Sequence, residues 1–349
     1  MTLEHIEARR RRWKLYMTSL GVLLLTTFFS ICIGSSLIPF EETLKVFFKW
    51  LLPSMNVDPL YEQIIWTIRL PRVLMGCMVG AALSLAGALL QGIFRNPMAD
   101  PYVIGVSSGA ALGASIAIVL GFGFTIFGSA AISSMAFIFA MTSLIIVYSL
   151  SRVGGKVPVM TLLLSGIAVG ILFSAITSFL SLFVGEKLAN VYFWLLGNLS
   201  KSEWNHVVVS APVLISCSVV AMLYARDLNL MSMGEDTAIS LGIDVENTKL
   251  VLITISSLMT SIAVSFTGMI AFVGLMVPHI VRLIVGPDHR VLLPCSTLFG
   301  ALFLIVCDDM ARAFALITST QIPVGIITAL AGGPFFIYLL RRRKKEYSL

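Results

Sequence analysis

The chain has 349 residues, of which 58% are hydrophobic and 12% charged, with a formal net charge of +6. The charged share is about half that of a soluble domain, which excludes a water-soluble protein. A membrane span takes about 20 apolar residues plus a connection, so the length leaves room for about ten spans. Apolar runs such as Val207 to Tyr224 continue without alternation, which excludes a transmembrane barrel and leaves helices that satisfy their own backbone hydrogen bonds in hydrocarbon.

The predicted spans, in chain order, are 15 to 38, 63 to 92, 102 to 121, 125 to 149, 158 to 184, 205 to 225, 247 to 267, a short one at 271 to 285, 291 to 314 and 323 to 340. The first run is too long for a signal-peptide core and has no A-x-A cleavage site, so it is expected to be retained as a span. Arg9, Arg10, Arg11, Arg12 and Lys14 precede it, and Arg341, Arg342, Arg343, Lys344 and Lys345 follow the last span. Positive charge marks the cytoplasmic side, so both termini are expected there, with an even number of crossings. Beside a span, such basic runs read as topology signals that meet anionic lipid; no nucleic acid is expected as a partner.

The outer loops, 39 to 62 and 185 to 204, lie among interfacial aromatics: Trp50, Tyr61, Trp66, Tyr192, Trp194 and Trp204. The inner loops are 93 to 101, 150 to 157, the long 226 to 246, and 286 to 290. Glycines recur four apart, at Gly76 and Gly80, at Gly105, Gly109 and Gly113, and at Gly166 and Gly170. On one helix face they let another backbone approach closely. Cys32, Cys77, Cys217, Cys295 and Cys307 have no C-x-x-C spacing and mostly lie in apolar runs, so neither a disulfide framework nor a metal cluster is expected.

The missing chemistry is informative. There is no H-E-x-x-H and no G-x-S-x-G, and His5, His206, His279 and His289 are scattered. Gly154-Gly155-Lys156 is followed by Val157 where a phosphate loop needs Ser or Thr. The chain is therefore not expected to be an enzyme, and an ATP-driven function requires a separate ATPase subunit. An ion-coupled secondary carrier needs ionisable groups near the bilayer centre. Here the acids within spans are Asp308 and Asp309, close to Arg312 at the outer end of the ninth span, where a local ion pair explains them as well as a relay.

The most informative strings sit at span ends. Arg69-Leu70-Pro71-Arg72 leads into Gly80-Ala81-Ala82-Leu83 and Gly87-Ala88-Leu89-Leu90-Gln91. Arg95-Asn96-Pro97-Met98-Ala99-Asp100-Pro101 then leads to Gly105-Val106-Ser107-Ser108-Gly109-Ala110. Later come Met233-Gly234-Glu235-Asp236-Thr237-Ala238 with Leu241-Gly242-Ile243, and Phe272-Val273-Gly274-Leu275-Met276-Val277-Pro278-His279-Ile280-Val281-Arg282. The last strings are Gly286-Pro287-Asp288-His289-Arg290, Ile322-Pro323-Val324-Gly325 and Gly332-Gly333-Pro334-Phe335. In this order they closely resemble the FecCD family of permeases, importers of ferric siderophores, haem and cobalamin. The likeness covers nearly the whole chain beyond the first loop. Two positions depart from the family: Gln321 stands where Glu is usual, and Met98 where Leu is usual. The second swap conserves volume; the first removes a charge from a local ion pair.

The resemblance implies an all-α polytopic membrane protein of about ten transmembrane helices, a type II ABC importer permease bundle. It would form a single permease domain over 1–349, with a cytoplasmic basic N-terminus at 1–14, a coupling loop at 226–246 and a basic tail at 341–349. The implied partners are a second copy of the chain, two ATPase subunits that bind the ATP, and a substrate-binding protein; no cofactor is implied in this chain. The implied cargo is a metal chelate carried across the inner (cytoplasmic) membrane. A ferric siderophore is favoured on the breadth of the family, with haem and cobalamin as alternatives and a secondary carrier or membrane enzyme as rival classes.

Arg69 and Arg72 lie three apart at a helix start, on one face at the outer rim. The resemblance makes them, with Arg312, docking residues for acidic groups on the binding protein; the alternative is snorkelling to lipid phosphate. Ser232 and Glu235 fit a capping box and Gly242 a helix stop, predicting a short helix over 234 to 241. The resemblance makes Gly234, Glu235, Asp236, Thr237, Ala238, Leu241 and Gly242 the contact that couples to the ATPase. His279 and Arg282 are read as structural, since a lone His makes a poor metal site and Pro278 breaks the helix there. The resemblance also nominates Ser165, Gly166, Gly170, Ser174, Thr177 and Ser178 in the fifth span and Gly325 and Thr328 in the tenth as lining the passage. Ordinary helix packing accounts for the same residues.

Overall fold

The computed structural model describes residues 3–34, 38–49, 56–122, 128–318 and 320–346. Trp50 lies outside the described residues, as do the side chains of the basic runs 9–12 and 342–345. The described residues form fifteen α-helices. They are α1 (Leu3–Cys32), α2 (Phe40–Phe48), α3 (Pro59–Ile64), α4 (Leu70–Ile93), α5 (Val106–Val119), α6 (Gly128–Ser151), α7 (Val159–Ser181) and α8 (Leu188–Leu195). There follow α9 (Trp204–Leu223), α10 (Ala225–Ser232), α11 (Glu235–Ser240), α12 (Val245–Thr267), α13 (Val273–Val285), α14 (His289–Thr318) and α15 (Val324–Glu346).

Eight of the helical stretches are long and apolar enough to cross a membrane, and α5 and α13 are shorter apolar helices. Together they fall where the ten predicted spans fall. The short helices α2, α8 and α10 occupy segments expected to be loops, because a search at span length passes over elements of eight or nine residues. The Gly154-Gly155 string is a tight turn: Val153 and Lys156 exchange backbone hydrogen bonds of 2.9 and 3.1 Å across glycines at φ 58 and 83. Two successive residues with positive φ are what a type I′ turn needs, so the apparent phosphate loop is a hairpin.

The bundle is built around α4. The apolar window of the stretch that runs from α3 through α4 is 78% buried, against 11% for α1. α14, α12, α13 and α9 pack around it. A Cβ on Gly80 would run into the carbonyl of Gly300, and one on Gly87 into that of Gly274, so backbone touches backbone where the sequence is small. Gly109 and Gly113 do the same for α5 against Phe139 and Met135 of α6.

Two irregularities lie within the apolar bulk. Between α3 and α4, residues Ile65–Arg69 form a π-turn, and the Leu70 amide reaches back five residues to Ile65 O. The wider turn comes directly before Pro71, which has no N–H to give. Between α12 and α13, residues 268–272 are not helical. This stretch is tolerated because protein groups take the place of the helix bonds. Tyr102 Oη donates to Ile270 O (2.9 Å) and accepts from Ile270 N (3.0 Å), while Asn198 N donates to Thr267 O at 2.6 Å. Pro278, expected to end a helix, lies inside α13 instead. The Gly274 carbonyl that its ring leaves without a helical donor is met by Gln91 Nε2 at 3.4 Å.

Alternating crossings give the bundle two ends. The one where α1 begins is here called basal: Tyr16 of α1 donates to Arg290 O at the start of α14, and Asn229 of α10 accepts from the His289 amide at 2.9 Å. The opposite, distal end holds the end of α1, the start of α4 and the end of α14.

Candidate functional site

At the distal end the three predicted arginines converge, in an arrangement that differs from the expected exposed face. Arg69, Arg72 and Arg312 are 5, 5 and 3% exposed. Because the π-turn ends at Arg69, Arg69 and Arg72 are directed to different neighbours. Arg69 Nη1 donates to Ile31 O (2.7 Å) and Cys32 O (2.8 Å), carbonyls that the end of α1 leaves without helical donors. Arg72 is bidentate on Asp308, with Nη2 to Oδ1 at 2.8 Å and Nε to Oδ2 at 3.0 Å, and its Nη1 donates to Gln321 Oε1 at 2.8 Å. Arg312 takes the same Asp308 with Nε at 3.0 Å, pairs with Asp309, and donates to Ser30 O at 2.9 Å. Ser30 Oγ donates to Asp309 at 2.6 Å. The rim expected to receive carboxylates from a docking protein is a buried ionic cluster that closes α1, α4 and α14 together, and the local ion pair expected beside Arg312 is part of it. It holds three cations and two carboxylates, and Gln321 occupies the place of a third.

At the basal end the predicted short helix is present as α11, with Gly234 as its N-cap at φ 139 and ψ 141. The expected capping box does not form: Ser232 ends α10, and its hydroxyl donates to Asn229 O at 2.6 Å. Glu235 turns instead to Lys249 Nζ, 2.8 Å away. The predicted stop does form. Gly242 at φ 84 donates to Ile239 O (2.9 Å), and Ile243 N donates to Ala238 O (3.0 Å), the bond pair that closes a helix on a left-handed residue. Ala238 is buried with Met231 and Val245, while Asp236 and Thr237 face outward. Met233, Ile239 and Leu241 are 70, 56 and 58% exposed. The basal surface therefore carries an apolar knob flanked by an acid, a shape suited to a complementary cleft.

The passage candidates divide. Gly166 is packed against the Val103 carbonyl, Thr177 is buried with its hydroxyl on Phe173 O (2.9 Å), and Gly170 faces Ser108 Oγ. Ser174 and Ser178 are exposed and Ser165 is half-buried. On α15, Gly325 lies against the Leu196 carbonyl, its amide donating to Gly197 O at 3.2 Å, and Thr328 is buried with its hydroxyl on Gly325 O at 3.0 Å. Gly166, Thr177, Gly325 and Thr328 hold helices together within one chain. His279 is buried with its ring against Phe335, centroids 6.1 Å apart.

Sequence reasoning missed Lys249 and Glu246, although their spacing of three on a helix start signals an ion pair; in the fold they are 3.2 Å apart. It also missed Phe272, whose φ of 69 is unusual for a residue with a side chain; no sequence signal marks it.

A model of the FecCD transport family matches residues 22–342. The chain is 50% identical over 291 residues to the cobalamin import system permease protein BtuC of Halobacterium salinarum, covering 83% of this chain and 77% of that one. It is 38% identical over 309 residues to the hemin transport system permease protein HmuU of Yersinia pestis, covering 87 and 91%. A solved structure, described as an inward-facing conformation of a metal-chelate type ABC transporter, superposes with a TM-score of 0.81 at 33% identity, covering 94% of this chain and 99% of that one. The helical bundle, the family match and these relatives together place the chain in the FecCD transport family, as a membrane-spanning permease of ATP-binding-cassette importers for chelate, haem and vitamin cargoes.

Proposed function

We propose that the chain pairs with a second copy of itself in the inner membrane, with basal end and termini cytoplasmic, to form the passage of an importer that takes up cobalamin. Two ATPase subunits seat on α11 and a binding protein delivers cargo at the distal end. The observation that carries this reading is the knob of Met233, Ile239 and Leu241, exposed beside Asp236, which leaves apolar surface bare at the end where the basic termini predict cytoplasm. Cobalamin ranks before a ferric siderophore or haem on one relative, the cobalamin permease of Halobacterium salinarum at 50% identity; the ferric dicitrate and hemin relatives are 36 and 38% identical, and the vitamin B12 permease of Klebsiella pneumoniae is 35% identical.

Docking in this reading draws on the excess positive charge of the distal cluster. A carboxylate of the binding protein takes the place beside Arg72 that Gln321 now fills, and Arg69 and Arg312 add attraction. Differential affinity drives the cycle: docking and ATP-driven closure favour a permease state that no longer excludes cargo. The test is purification of the tagged chain from its native membrane, followed by reconstitution of the recovered complex in liposomes. Co-purification of an ATPase and a binding protein, with ATP-dependent uptake of cyanocobalamin in preference to ferric citrate and haem, is the expected result. Recovery of the chain alone with uptake that survives ATP depletion would make it a secondary carrier.

A further inference from the structure

Lys249 sits in the first turns of α12 with its side chain 3% exposed. Its ammonium holds two carboxylates: Glu235 Oε2 of α11 at 2.8 Å and Glu246 Oε1 at 3.2 Å. The second oxygen of Glu246 accepts from the Val157 amide at 2.9 Å, in the turn between α6 and α7. Arg95, from the connection after α4, lies 4.0 Å from the other oxygen of Glu235. Four charges of balanced sign thus bind three basal connections to one helix. A buried ammonium is costly unless it is paired and hydrogen-bonded, so Lys249 keeps both carboxylates whichever way the surrounding loops move.

The helix that bears it is fitted to pass motion on. α12 runs 23 residues with neither Gly nor Pro inside, about 34 Å at 1.5 Å per residue. Its distal end is held as firmly as its basal end. Thr267 O takes the Asn198 amide at 2.6 Å, and a Cβ on Gly268 would strike the Trp194 carbonyl. Those partners belong to the end of α8 and to the distal segment that follows it, against which Gly325 also packs.

We infer that Lys249 is a positioning residue for transport: it locks α11 and the 153–157 turn to α12, so that displacement of the coupling helix arrives at the distal segment around Asn198. This rests on the proposed contact of α11 with an ATPase. The test uses the reconstituted complex of permease, ATPase and binding protein, and reads two quantities: the stimulation of ATP hydrolysis by added binding protein, and amide exchange over 153–157 and 235–241. Lys249→Met should still capture the ATPase yet lose stimulation at least fivefold, with exchange rising together in both segments. Lys249→Arg should restore both. Wild-type stimulation and protection in Lys249→Met would overturn the inference. Should Lys249→Met fail to assemble, Glu246→Gln keeps the bond between Lys249 and Glu235; unchanged exchange at Val157 and unchanged stimulation there would overturn it equally. A wild-type chain that captures no ATPase would instead overturn the function on which the inference rests.

Discussion

Asp308 accepts from Arg72 through both oxygens and lies 3.0 Å from Arg312, so one carboxylate serves two buried guanidinium groups. Replacing it leaves both buried cations underpaired, which costs about 3–5 kcal/mol for a buried pair broken on one side. Asp308→Asn should therefore lower the thermal midpoint in detergent by many degrees, whereas exchanging an exposed α1 residue such as Leu24 for Ala should leave it nearly unchanged. Gln321→Glu acts the other way. It adds a carboxylate 2.8 Å from Arg72 Nη1 and brings cluster charge to zero, for a gain of about 0.5–1 kcal/mol at this outward-facing position. If the excess charge attracts the binding protein, the same variant captures it about tenfold more weakly at low salt, and the difference shrinks as salt rises. Capture that is stronger or unchanged would remove the docking role. The sequence made the arginines visible and placed an ion pair beside Arg312. It could not show that they are buried, since a π-turn of five residues decides where Arg69 and Arg72 point.

The helices themselves were readable wherever their length exceeded the bilayer signal, and α11 was readable from its stop at Gly242. Its start was misread. A Ser three residues before a Glu satisfies the capping pattern, but Lys249, fourteen residues on, competes for Glu235 as a full charge where the box offers only a backbone amide. The apolar face of α11 was likewise not legible, because whether Ile239 and Leu241 are inside or outside depends on which side Ala238 buries. That face now supplies a prediction. Ile239→Asp with Leu241→Asp changes side chains that are 56 and 58% exposed, so stability should move by no more than about 0.5 kcal/mol each. Capture of the ATPase should nevertheless fall at least tenfold, since the apolar knob is what a cleft would enclose. Full capture by this variant, measured by co-purification at fixed detergent and salt, would mean that the ATPase seats elsewhere.

Across the whole molecule, burial separates helices that support from helices that await a neighbour. The window in the stretch from α3 through α4 is 78% buried and that in α12 67%, while α7 and α15 are only 22 and 28% buried. Small residues alone cannot report this difference. Gly166 and Ser174 look alike in a string of letters, yet one is pressed on the Val103 carbonyl in the turn before α5 and the other is open. If a passage forms between two copies, side chains that one copy leaves uncovered are the ones to test as its wall, and among the candidates Ser174 and Ser178 are exposed and Ser165 is half-buried. On α7, Ser174 and Ser178 are one turn apart and share a face. Enlarging them tests whether that face looks onto the passage or onto lipid, two surroundings with opposite consequences. In lipid, Ser174→Phe or Ser178→Phe buries more apolar surface and leaves uptake as it was. In the passage, either substitution narrows the route for a cargo as wide as cobalamin, and ATP-driven uptake into liposomes should drop at least tenfold while capture of ATPase and binding protein is retained. Undiminished uptake in both variants would turn this face of α7 outward and require the passage to be sought on another helix.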